Sequence, residues 1–273
     1  MSKLSYKAFQ KKVWGHFKHH GRSLPWRETR NPYHILVSEI MLQQTQVDRV
    51  IPKYRAWLRR FPTSSKVALA PRSEILTMWQ GLGYNRRALA LHRAVTILSK
   101  NKKFPSDYDS LLALPGIGPY TAQAILTFAF NQPTILIETN IRTVFIHHFF
   151  NTKQKVNDRD LVPFIEKTLD HTRPREWYWA LMDYGAHLKK TVGNVSQRST
   201  HYARQNRFIG SDRHIRGQIL KYISIAPTTR RTLQQHLVER NITPATSHLE
   251  KILAALTTEG FIVYHNKRFS LAQ

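Results

Sequence analysis

Residues 111–144 read LLALPGIGPYTAQAILTFAFNQPTILIETNIRTV. Pro115, Gly116 and Gly118 interrupt an otherwise helical pattern at LPGIG. Glycine supplies the open backbone geometry that a tight turn needs, and proline fixes its entry. From Tyr120 to Phe130 the apolar spacing is helical again. The stretch therefore predicts a helix, a glycine hairpin over 112–125, and a second helix that begins on unpaired N–H groups. Such a start suits a phosphate oxygen, and it makes Gly116 and Gly118 candidate phosphate-facing residues. Glu138 then closes the apolar run Ile135–Ile137, in an ETN triplet. An LPGIG turn alone serves as often as a plain helix connection. Hairpin, carboxylate and charge balance together suggest chemistry on nucleic acid.

The charge balance is strong. The chain has 273 residues and a formal net charge of +25, from 42 Lys+Arg against 17 Asp+Glu. An excess of this size points to a polyanion partner. No run of 18 apolar residues is present and no leader pattern opens the sequence, so the expectation is a soluble, cytoplasmic protein, nucleoid-associated in a prokaryote, with no membrane partner. With 41% hydrophobic residues there is enough for two or three compact lobes. Cysteine is absent, which excludes disulfides, Cys-ligated zinc and any Cys-held iron–sulfur cluster.

Working outward toward the N-terminus, residues 33–61 carry a strong helical period through Ile35, Leu36, Ile40, Leu42, Val47, Val50 and Ile51. Glu39 lies inside the apolar part. A carboxylate there is costly to desolvate, and burial raises its pKa toward what a general acid at neutral pH needs. Gln43, Gln44 and Thr45 follow, three uncharged hydrogen-bonding side chains suited to base edges or to a gap in a stacked duplex. Before this helix, Trp26 and Arg27 follow a proline in GRSLPWRETRNP. They read either as a packed aromatic with a solvated cation or as the lining of a base pocket.

Six strings now fall in order: LPWR, SEIMLQQTQV, GLGYNRRA, LPGIGPYTAQAI, ETNIRTV and LMDYGA. Over about residues 20–190 the chain resembles the helix-hairpin-helix DNA glycosylase superfamily, and within it the A/G-specific adenine DNA glycosylases. The resemblance implies an all-α, two-lobed fold and a monofunctional glycosylase of base excision repair. It implies double-stranded DNA with a mismatched or damaged base as partner, most simply adenine opposite guanine or 8-oxoguanine. In similar enzymes a tyrosine matching Tyr84, presented by Gly81-Leu82-Gly83, wedges into the duplex together with a glutamine matching Gln44. Leu82, Arg86 and Arg87 join them as expected DNA contacts.

Position 120 separates reaction types. Related lyases such as endonuclease III carry a lysine there that forms a Schiff base. Tyr120 cannot form an imine, so hydrolysis without strong strand cleavage is expected. Glu39 and Glu138 are the expected catalytic pair, with Tyr120 and Asn140 orienting them. The family's usual residue at 138 is Asp, one methylene shorter.

Past LMDYGA most relatives place four cysteines around a 4Fe–4S cluster. Here the chain has instead a basic connector, 189–212, in which Lys189 and Lys190 are expected on DNA. No cofactor and no metal are expected, although the hairpin leaves room for a monovalent cation. Three amphipathic helices and a hairpin over 213–273 predict a small winged helix, too short for the family's usual Nudix-like domain. The expected domains are thus 1–188, 189–212 and 213–273, in a monomer. A glycosylase for another mismatched or damaged base, and a non-catalytic DNA-binding protein on the same fold, remain as alternatives.

Overall fold

The structure, a computed structural model, describes residues 5–101, 103–204 and 207–273. Residues 1–4 and 102 of the expected first domain, and 205–206 of the expected connector, lie outside the described residues. The described elements are helices and one hairpin. In chain order the helices are α1 Tyr6–His20, α2 Pro32–Leu42, α3 Val47–Arg60, α4 Ser64–Ala68, α5 Arg72–Trp79, α6 Arg86–Leu98 and α7 Tyr108–Leu112. There follow α8 Pro119–Phe130, α9 Thr139–Phe149, α10 Asp158–Thr168, α11 Pro174–Thr191, α12 Asp212–Ile223, α13 Arg230–Glu239 and α14 Thr246–Thr258. Strands β1 Ile262–His265 and β2 Arg268–Leu271 close the chain.

Contacts divide the chain into two compact units, Met1–Glu39 with Pro105–Arg204 and Ile40–Phe104 with Gln205–Gln273. The expected boundary at 188/189 falls inside the first unit, and the winged helix shares the second with residues 40–104.

The first unit is built on an aromatic core. Phe9 of α1 meets Phe145 and Phe149 of α9 at 5.3 and 5.0 Å and the edge of Trp177 of α11 at 6.2 Å. Its helix starts are capped in the usual ways: Ser5 accepts from Ala8 N–H, and Asn157 with Asp160 forms a capping box on α10. The expected hairpin is present between α7 and α8. Gly116 has φ +79° there, a left-handed turn that favours glycine. Leu111, Leu114 and Ile117 anchor it inward, and Pro119 opens α8 at a position where its missing N–H costs nothing.

The second unit packs Trp57 of α3 against Trp79 of α5 and against Phe61. The winged helix buries Ile219, Leu233, Leu237, Leu253, Leu256 and Phe261. Its strands pair antiparallel from Ile262↔Leu271 to His265↔Arg268. Asn266 and Lys267, both at positive φ (48° and 60°), make the two-residue turn whose twist suits a hairpin. Arg86 and Arg216 both pair with Glu259 at 2.7 Å, and Gln80 donates to the Ser224 hydroxyl at 2.6 Å. These contacts tie the wing to α5 and α6.

The helical period of residues 33–61 resolves into α2 and α3, broken at residues 43–46, with Gln44 at φ +52°. Periodicity alone did not show the break, because apolar residues resume in phase after it.

Candidate active site

The site begins with a helix that is apolar on nearly every side. Ile35, Leu36, Val37 and Ile40 of α2 are buried, and Ser38 satisfies its own hydroxyl by donating to Ile35 C=O at 2.8 Å. Glu39 sits among them, 8% exposed. Burial first, and the charge of Glu138 second, raise its pKa to about 8. At neutral pH this carboxyl keeps its proton.

Glu138 is the N-cap of α9. Its Oε1 accepts from the backbone N–H of Asn140 (2.8 Å) and of Ile141 (3.0 Å), and its Oε2 accepts from the Asn140 side-chain amide (3.3 Å). Burial raises its pKa too, while those three donors and the nearby Arg142 guanidinium pull it back toward the ionised form. Of the pair, Glu138 is the one whose carboxyl oxygens are shown held by N–H donors, which favour its ionised form. Tyr120, in the first turn of α8, is half-buried. Burial, then Glu39, then Glu138 push its phenol well above its ordinary pKa, so it remains a hydrogen-bond donor. The fold thus brings Glu39, Tyr120, Glu138 and Asn140 into one electrostatic neighbourhood of the first unit.

Several residues that hold this arrangement were not singled out in the sequence. Tyr178 of α11 donates to Thr134 C=O at 2.7 Å and accepts from Leu136 N–H at 3.1 Å, pinning the segment that delivers Glu138. Arg142 makes a two-pronged pair with Asp158, both bonds 2.7 Å. Gly185 of α11 lies against Asn140. A Cβ there would stand 2.2 Å from the Asn140 carbonyl oxygen and 2.7 Å from its carbonyl carbon and Cβ. The signals were in LMDYGA: a glycine in a helix interior is unfavourable by itself, and Asp183 sits on an otherwise apolar face.

Asp183 settles the placement of Trp26 and Arg27. Its carboxylate, 1% exposed, receives both terminal nitrogens of Arg27 at 2.8 Å, and Arg22 at 2.6 Å. Arg27, itself 7% exposed, also lies over the Trp179 ring at 5.4 Å, and Trp26 is buried. The Arg27 contacts are those of a structural brace, because a buried carboxylate needs cations.

The loops of the second unit expected at DNA are organised by Arg87. Its guanidinium donates to Ile40 C=O (2.8 Å), Met41 C=O (3.1 Å) and Gln43 C=O, capping the end of α2. It also donates to Thr45 Oγ1 (3.0 Å), Leu82 C=O (3.1 Å) and Gly83 C=O (2.9 Å). Burial lowers its pKa to about 10, still charged. Arg87 was expected on phosphates but is spent on two loops. Arg86 is turned to Glu259. Leu82 was expected toward DNA and is buried instead, since an apolar side chain between two glycines turns inward. Gln43 and Thr45 are half-buried, Gln44 is exposed at φ +52°, and Tyr84 is half-exposed at φ +48°.

Elsewhere, Gly116 is exposed at the hairpin tip and nothing lies within 4 Å of a Cβ built on Gly118. Lys189 and Lys190 are exposed at the end of α11. The chain has no cysteine, and protein contacts hold the segment that follows α11. Arg198 donates to Phe150 C=O and Lys153 C=O, and residues 156 and 199 form a parallel bridge. Among the described residues no group of three or more His, Asp or Glu side chains is arranged to hold a metal.

A helix-hairpin-helix beside a buried and a half-buried glutamate is the arrangement of a base-excision DNA glycosylase. Residues 37–170 match the model of the HhH-GPD superfamily base excision DNA repair protein. The adenine DNA glycosylase of Mycolicibacterium smegmatis is 36% identical over 240 residues, covering 80% of this chain and 81% of that protein. That of Mycobacterium tuberculosis is 34% identical, covering 78% of each. That of Buchnera aphidicola subsp. Baizongia pistaciae is 37% identical over 66% of this chain but only 52% of its own length. Among solved structures, a thermostable thymine-DNA glycosylase superposes with a TM-score of 0.61 at 27% identity, over 66% of this chain and 86% of that one. A trapped endonuclease III–DNA complex shares the fold at TM-score 0.53 and 21% identity, over 70% of this chain and 87% of its own. The chain belongs to the adenine DNA glycosylase family of the HhH-GPD superfamily. It is a DNA-binding hydrolase of N-glycosyl bonds.

Proposed function

We propose that this chain removes adenine mispaired with guanine or 8-oxoguanine from duplex DNA, acting as a monomer without a metal or a cluster. The observation that carries the chemistry is a carboxyl whose pKa burial lifts to about 8, on Glu39, beside a second carboxylate held by two backbone N–H groups, on Glu138. The C–N bond to the sugar breaks with its electron pair going to the purine, which takes the proton of Glu39. Glu138 faces the positive charge that develops on the deoxyribose, with Asn140 and Tyr120 fixing its direction. Water then adds to the sugar carbon and returns a proton to Glu39. Tyr120 offers no amine, so the strand is left intact. Exposed Gln44, half-exposed Tyr84, the open turn at Gly116 and Gly118, and the cations Lys189 and Lys190 meet the duplex.

The test is single-turnover release of adenine from duplexes carrying it opposite guanine or 8-oxoguanine, with thymine opposite guanine in the same panel. Glu39→Gln should lower the rate by about 10²- to 10⁴-fold while leaving duplex binding intact. Undiminished release by that variant ends the assignment. Preferential release of thymine moves the substrate.

A further inference from the structure

Tyr84 is gripped from two sides. Its φ of +48° is a conformation that a bulky residue adopts only when its surroundings impose it. Arg87 accounts for the backbone, because its guanidinium holds the carbonyls of Leu82 and Gly83 just before it. The ring has a further partner. Arg213, in the first turn of α12, donates to the Tyr84 hydroxyl oxygen, and its guanidinium carbon lies 5.1 Å from the ring centre. The Arg87 guanidinium carbon lies 5.5 Å from the same centre. The ring thus has one cation from α6 and one from the appended winged helix.

Arg213 is itself fixed. Ser211 caps α12 by accepting from His214 N–H, and Asp212 meets His248 Nε2 at 2.9 Å. Arg216, on the same helix, shares Glu259 with Arg86, which lies two residues past Tyr84. The two guanidiniums pull the Glu259 carboxyl down to about 2, so this clamp stays charged through the physiological range. The wing and the GLGY turn are therefore locked at two neighbouring points, one of which is the tyrosine ring itself.

We propose that Arg213 is a positioning residue for Tyr84, through which the winged helix sets the pose of that ring as it meets the duplex. The appended domain then takes part in recognition without a base-reading element of its own. The proposal rests on the reading of Tyr84 as a DNA contact.

The test is a double-mutant cycle on the full chain. Binding to a duplex with a tetrahydrofuran abasic analogue opposite guanine is read by fluorescence anisotropy, and adenine release is read at saturating protein. A lost hydrogen bond and cation–π contact correspond to roughly a five- to thirtyfold change. Arg213→Ala should weaken binding by that factor and leave the saturated release rate within about twofold. In a Tyr84→Ala background the same change should cost nothing more. If the losses instead add, Arg213 is a direct phosphate contact and the proposal falls. It falls equally if Arg213→Ala binds like the unchanged chain. Arg213→Gln, which keeps a donor and loses the charge, serves if the alanine variant does not fold. A cycle that holds in a chain releasing no adenine from any duplex overturns the catalytic reading alone, because binding is read separately from release.

Discussion

Replacing Gly185 by alanine tests the packing behind the carboxylate pair. Helix propensity alone predicts a gain, since glycine in a helix interior costs about 0.8–1.0 kcal/mol relative to alanine. The structure predicts the reverse. The new Cβ would lie 2.2 Å from the Asn140 carbonyl oxygen, and restoring ordinary contact near 3.4 Å requires a displacement of about 1.2 Å. Backbone lies on both sides of that contact, so no side chain can swing away. Either α11 retreats or the first turn of α9 moves, and with it the Asn140 and Ile141 N–H groups that hold Glu138. Overpacking of this kind costs about 1–3 kcal/mol, which outweighs the propensity gain. A 1 Å misplacement at a reacting group costs about 100-fold in rate. Thermal unfolding and single-turnover adenine release measure the two effects separately. Gly15→Ala is the control: it sits in α1 with nothing within 4 Å of its added Cβ, and it should raise Tm by the propensity term alone. If Gly185→Ala behaves like Gly15→Ala, with Tm raised and release unchanged, the close approach of α11 to Asn140 plays no part in holding the site.

Four further outcomes follow from the same geometry. The proposed acid role of Glu39, with a pKa raised to about 8, requires the single-turnover rate to hold below that pH and fall as pH rises through it; a rate that climbs there refutes the protonation state. The same raised pKa favours folding below the ordinary carboxylate pKa of 4.5, and that contribution is lost as pH rises from there to about 8. Glu39→Gln should therefore gain Tm over the unchanged chain across this window, by about 2–4 °C per kcal/mol recovered, and show no gain below it. Tyr120→Lys should yield a borohydride-trapped complex with an adenine-mispaired duplex, and its absence at full binding would remove residue 120 from the sugar's reach. Neutralising Lys189, Lys190 and Arg204, the last an exposed cation of the basic connector, should flatten the log–log salt dependence of binding by about two to three units with base preference unchanged. An unaltered slope would make them solvated charges.

What the sequence determined by itself is what lies in local strings. The glycine turn, the C-terminal hairpin and the candidate carboxylates are legible because their chemistry depends on residues a few positions apart. Glu39 stood out because a carboxylate inside an apolar run is expensive wherever that run folds. The tertiary structure alone shows which of the cations are held by the protein itself. In a chain of net charge +25 any arginine could meet a phosphate, yet Arg27 pairs with buried Asp183, and Arg87 and Arg198 cap carbonyls left open by broken helices and loops. A guanidinium carries five donors, and nothing in the string says whether those meet solvent, phosphate or main chain. The break after α2 and the sharing of a unit by the wing and residues 40–104 were likewise hidden. Each depends on partners 40 or more residues away, such as Arg87 for Ile40 and Glu259 for Arg86, and periodicity reports only which face of a helix is apolar.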